Sequence, residues 1–100
     1  MIKHIVMFKL KDADGKTEFE NAAEAKERFN EVIEKVPSLK SGKVVINAKG
    51  AEASNYTIAL ICDFDKIDDL NAYQVHPVHK AFGSFIAGIK IDRACIDYEI

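Results

Sequence analysis

Three histidines and a tyrosine hold most of the acid–base chemistry available to this chain of 100 residues. Tyr73-Gln74-Val75-His76-Pro77-Val78-His79 puts a phenol and two imidazoles in one short segment, and His4 interrupts an otherwise apolar row near the start. Neutral imidazole takes or gives a proton near neutral pH, and partial burial lowers its pKa and holds it as a base. A phenol hydroxyl such as that of Tyr73 can donate to the oxygen of a developing enolate. Those residue types suit a proton-transfer pocket that works without a cofactor.

A second reading gives the same side chains a structural role. His4 and His79 would sit at the edge of a core, satisfied by backbone groups, and His76 would cap a helix whose first amide hydrogen Pro77 removes. Metal binding is a third. His76 and His79 stand three residues apart, but zinc takes three or four ligands and no Cys or His partner stands at a recognisable spacing, so no metal is expected. Asp63, Asp65, Asp68 and Asp69 lack the glycine and terminal glutamate of a calcium loop and read as helix caps and solvated charge. Ser84 lies outside a G-x-S-x-G setting, no phosphate-binding glycine loop is present, and neither cysteine adjoins a histidine. Nucleophilic catalysis and nucleotide hydrolysis therefore gain no support.

The elements that must position these groups follow from patterning. Residues 2 to 11 alternate with Ile2, His4, Val6, Phe8 and Leu10 on one face, which predicts a strand. Thr17-Glu18-Phe19-Glu20 matches a capping box, and Phe19, Ala22, Ala25, Phe29, Ile33 and Val36 mark the buried stripe of a helix that Pro37 ends. Strands are predicted over Lys43 to Lys49, Tyr56 to Phe64 and Ile89 to Ile100. Between the last two come a short helix over Lys66 to Tyr73 and another from Pro77 to Gly88, with Val78, Ala81, Phe82, Phe85 and Ile86 inward.

The order βαββαβ predicts an α+β, ferredoxin-like chain with a four-stranded antiparallel sheet and its helices on one face. On that fold His4 and His79 approach each other at the seam between helix and sheet. The other face would leave Ile5, Met7, Val44, Ile46, Ala59, Ile61 and Ile91 bare, so a homodimer closing sheet against sheet is expected.

Residues 1–100 read as a single domain, without repeats or linkers. A net charge of −2 with no basic block gives no footprint for nucleic acid. Lys3, His4 and Lys9 break the apolar start, so neither a signal peptide nor a membrane span is expected there. Two distant cysteines, Cys62 and Cys95, suit a reducing compartment, and a cytoplasmic location is expected.

Ile2-Lys3-His4-Ile5-Val6-Met7-Phe8-Lys9-Leu10-Lys11 together with Tyr73-Gln74-Val75-His76-Pro77-Val78-His79-Lys80 resembles the stress-responsive A/B barrel (Dabb) domain family, and the resemblance extends over nearly the whole chain. It implies a dimeric α/β barrel of ferredoxin-like protomers. By resemblance to a plant polyketide cyclase of the family, His79 would be a general base, with Tyr73 and His4 in the same pocket. That cyclase has a histidine where this chain has Ile58 and a tyrosine near Phe29, which implies a more apolar pocket here and a different substrate. The pocket is expected to be small and apolar, lined by Val6, Phe8, Phe29, Ile58, His76 and Phe82, and to take a small apolar or carbonyl-containing ligand. Other members of the family assemble into stable stress-protective oligomers that need no chemistry.

Overall fold

A computed structural model describes residues 1–100. The alternating start forms strand β1 (Ile2–Leu10), with Ile2, His4, Val6, Phe8 and Leu10 buried. Helix α1 (Glu18–Lys35) opens on the predicted capping box. The Thr17 hydroxyl accepts from the Glu20 amide at 3.1 Å, and the Glu20 carboxylate accepts from the Thr17 amide at 3.0 Å. Its buried stripe is Ala22, Ala25, Phe29 and Val32. Phe19 and Ile33, expected on that stripe, are exposed instead. The 3.6-residue period runs from Ala25 through Phe29 and Val32 to Val36, which leaves Ile33 on the flank.

Strand β2 (Ser41–Ile46) begins before the predicted Lys43 and takes in Gly42. A Cβ at Gly42 would meet Leu39 Cδ2 and Phe29 Cε2 at 3.3 Å each, so the bare backbone lets the core close there. Strand β3 (Ile58–Phe64) turns Ile58, Leu60, Cys62 and Phe64 inward. Helices α2 (Ile67–Val75) and α3 (Pro77–Ala87) part at His76, whose extended ψ of 136° is the conformation a following proline imposes. Gly88 caps α3, and strand β4 (Lys90–Glu99) closes the fold.

The sheet order is β2-β3-β1-β4, antiparallel throughout, the ferredoxin-like arrangement. Helix α1 lies on β1 and β2, α2 on β1 and β3, and α3 packs against the other two helices. Edge strand β4 therefore receives little cover and is exposed along nearly all its length. Its pairing with β1 shifts between Lys9, opposite Asp92, and Leu10, opposite Lys90, so Ile91 is the extra residue of a β-bulge.

The face away from the helices differs from expectation. Val44 pairs with Leu60 and Ile46 with Ile58, which puts both on the helix side. Val44-Val45-Ile46 is an unbroken apolar run with no alternation to read, and a one-residue choice reverses every side chain. Val45 is the outward residue. The open face carries Ile5, Met7, Val45, Ala59, Ile61, Ile96 and Tyr98, while Ile91 lies in the bulge. No helix is long and apolar enough to cross a membrane.

Candidate functional site

Because the helices leave β4 uncovered, a pocket of about 300 Å³ opens between α3 and that strand. Its floor is His4, Val6 and Phe8 of β1 with Leu60 of β3. Tyr73 and Gln74 of α2 and His79, Phe82, Gly83 and Ile86 of α3 form the wall, and Lys90 and Arg93 of β4 form the rim. Distant segments of the chain meet here: the His4 and Tyr73 ring centroids are 6.1 Å apart, and those of Tyr73 and His79, one helix break further on, are 4.3 Å apart.

Each titrating group has a distinct setting. His79 Nδ1 lies 3.2 Å from the Gln74 carbonyl oxygen. A carbonyl only accepts, so Nδ1 carries the hydrogen and Nε2 keeps its lone pair. Burial lowers the His79 pKa, the Gln74 carbonyl opposes that, and nearby His4, Arg93 and His76 lower it further. The imidazole thus stays neutral and basic into mildly acidic solution. His4 is buried, and its Nδ1 donates to the carboxylate of Asp97, its cross-strand partner on β4. That bond fixes the ring of His4 at the pocket floor.

Tyr73 is fully buried, and its hydroxyl has no hydrogen-bond partner. The Cys62 thiol lies alongside without the geometry of a hydrogen bond; burial raises the phenol well above its ordinary range, with Cys62 adding to the effect. Burial likewise pushes Cys62 up to about 12, which makes it an inert thiol. A lone buried hydroxyl costs about 1–3 kcal/mol. Tyr73→Phe is therefore expected to raise the urea midpoint, by up to about 1 kcal/mol in stability at fixed protomer concentration. A lower midpoint would show that the hydroxyl is bonded in solution.

Of the residues expected in the pocket, His4, Tyr73, His79, Val6, Phe8 and Phe82 converge. Three do not. Phe29 lies one layer deeper, edge-on to Phe82 with ring centroids 5.1 Å apart, and Ile58 is enclosed in the core. His76 is the helix cap of the structural reading, its Nδ1 accepting from the Val78 amide at 3.1 Å. The expected apolar lining is also corrected, because Lys90, Arg93 and Gln74 belong to the pocket. Asp97 was the other group missed: it stands on the same face as His4, but only strand pairing brings them together.

Strand pairing brings together three possible ligand groups that sequence spacing does not show. His4, Cys95 and Asp97 bring one donor atom each within 4.8 Å of one another. The direct His4–Asp97 hydrogen bond already occupies Nδ1 of His4, while Cys95 Sγ stands 3.7 Å from it, so the arrangement is an oriented imidazole rather than an open coordination triangle. His76 and His79 each commit Nδ1 to backbone. A larger hollow of about 650 Å³ lies beside the start of α1, but its Glu18 is engaged by Lys9 at 3.3 Å and by the Thr57 hydroxyl at 2.8 Å. It offers no free acid–base pair.

The model of the stress responsive A/B barrel domain matches residues 2–100. The chain belongs to the stress responsive A/B barrel (Dabb) family. Among solved structures, this Dabb chain is similar to a dimeric ferredoxin-like protein of unknown function from Bacteroides fragilis. Identity is 37%, coverage 99% of this chain and 95% of that one, and the TM-score 0.77. A dimeric ferredoxin-like protein of unknown function from Thermobifida fusca is 28% identical, with coverage of 99% and 90% and a TM-score of 0.82. The hydroxynitrile lyase of Passiflora edulis shares the Dabb chain's fold at 17% identity, with coverage of 99% and 92% and a TM-score of 0.79. No curated protein matches the sequence.

Proposed function

We propose that this Dabb protein is a homodimer, closed through the open sheet faces, whose protomers each bind a small carbonyl compound in the pocket beside His79. Ligand binding is the minimum reading. In the fuller one, His79 is a general base for cofactor-independent proton abstraction next to the carbonyl, of the kind a cyclase or lyase uses. The observation that carries it is the His79–Gln74 hydrogen bond, which leaves Nε2 as a free lone pair beside Tyr73. Nε2 takes the α-proton and the C–H electron pair moves to the carbonyl oxygen as an enolate; the Tyr73 hydroxyl, enclosed and without a partner in the free protein, donates to that oxygen only when the bound ligand displaces the side chains that enclose it. His4, held by Asp97, positions or polarises the carbonyl.

Dimerisation is supported by the apolar open face and by the dimeric state described for the Bacteroides and Thermobifida proteins. Two unpaired cysteines, one buried and one exposed, suit a cytoplasmic location. The test is α-proton exchange in D₂O, followed by NMR, over a panel of β-dicarbonyl compounds. Protein-dependent exchange is expected. If no member binds or exchanges, the pocket reading fails and the structural, stress-protective oligomer, which needs only the sheet face, takes its place.

A further inference from the structure

Lys90 and Arg93 are three positions apart on one strand, a spacing that in a regular strand puts side chains on opposite faces. The bulge at Ile91 cancels that: Arg93 pairs with Phe8 and Lys90 with Leu10, both inward residues, so the two cations share the pocket side. Bulges beside binding sites commonly re-aim a side chain in this way. Both cations line the pocket, and no Asp or Glu lines it with them.

Neither Lys90 nor Arg93 makes an ion pair, whereas the chain's other arginine, Arg28, is bound to Glu24 at 2.8 Å. The nearby carboxylates are already engaged, Asp97 by His4 and Asp92 by the Tyr56 hydroxyl at 2.9 Å. The pocket thus has an imidazole and a phenol on its helix wall and two cations without a carboxylate partner on its strand side, Lys90 standing over the Phe8 ring at 6.0 Å, in a chain whose net charge is −2. Such an arrangement selects a ligand charged at one end only.

We propose that the ligand of this pocket is a short keto acid, its carboxylate held at the rim by Arg93 and Lys90 and its ketone lying inward toward His79 and Tyr73. The carboxylate half follows from the rim, and the ketone half rests on the general-base reading above. A planar guanidinium takes a carboxylate through two parallel hydrogen bonds, and Lys90 adds a second charge. At about 300 Å³ the cavity is at the small end for ligand sites, which favours a short chain. The rim charges also favour the extra negative charge that an enolate brings.

The experiment compares binding of 4-oxopentanoate and its methyl ester to the full-length protein by calorimetry, at low and high salt. The acid is expected to bind about tenfold or more tightly than the ester, a preference that shrinks with salt and collapses in the Arg93→Gln, Lys90→Gln double variant. Arg93→Lys keeps the charge but not the fork and is expected to be intermediate. Lys26→Gln, an exposed cation on α1, is expected to keep the parent's preference. Equal binding of acid and ester, or a preference that survives the double variant, overturns the proposal. Proton exchange on neutral β-dicarbonyls is read separately: acid-selective binding without exchange removes the base and leaves the anion site, and exchange without acid selectivity does the reverse.

Discussion

An Ile61→Asp variant is expected to run at the protomer mass in size-exclusion chromatography at concentrations where the parent runs as a dimer. Ile61 is opposite Ile5 on the open face, among Met7, Ala59 and Val45. In a lone protomer it is only half-buried, so a carboxylate there remains partly hydrated and the fold tolerates it. With two sheets face to face, each protomer instead buries a carboxylate whose one cationic neighbour is its cross-strand partner Lys43, at a net cost of a few kcal/mol per chain. At 1.4 kcal/mol per decade, even about 5 kcal/mol in total weakens dimerisation more than a thousandfold. The parent's urea midpoint is expected to rise with protomer concentration, and that of the variant to be independent of it. Ile67→Asp, on an exposed position of α2, is expected to keep the dimer. A dimeric Ile61→Asp would place the interface elsewhere and end the barrel reading.

The second large effect is at the base. His79→Asn is expected to lower exchange of β-dicarbonyl α-protons by about 10²- to 10⁴-fold, the usual contribution of a positioned general base. In the parent the rate should climb with pH through the His79 pKa. Because burial depresses that pKa below its ordinary 6.5, the half-maximal rate falls below pH 6.5. The same depression links to stability with a definite sign. Between the folded-state pKa and 6.5 the unfolded chain binds more protons, so stability falls as pH drops through that window and levels off below it. His79→Leu is expected to lose this acid-side fall. If His79→Leu also lost about 1–3 kcal/mol at neutral pH, the imidazole would be a structural group with buried partners, and the catalytic assignment would be withdrawn.

How far the site was legible depended on whether a residue's role came from local pattern or from pairing. Tyr73, His76 and His79 lie in one segment, so their types and spacing were readable, and Pro77 by itself marked the break between helices. Phe29 and Ile58 belonged to the core by pattern, but whether a core side chain borders a cavity or lies behind its lining depends on packing one layer deeper. Alternation showed that His4 faces inward, yet nothing local says that β1 and β4 are neighbours or that Asp97 stands opposite His4. Lys90 was beyond alternation, because the bulge at Ile91 reverses the parity on which alternation rests.

The sequence by itself determined the element order, the capping box of α1, the helix-facing row of β1, the ferredoxin-like class and the Dabb family, because each is written in contiguous spacing or in two specific segments. Tertiary structure alone decided that β4 lies uncovered beside α3 and so opens a pocket, that Val45 rather than Val44 and Ile46 faces outward, that Tyr73 has a hydroxyl with no partner, and that two cations share a rim. Those outcomes depend on strand register and on which surfaces the helices fail to cover. They are set by packing between distant segments, a balance of long-range contacts that no local period records.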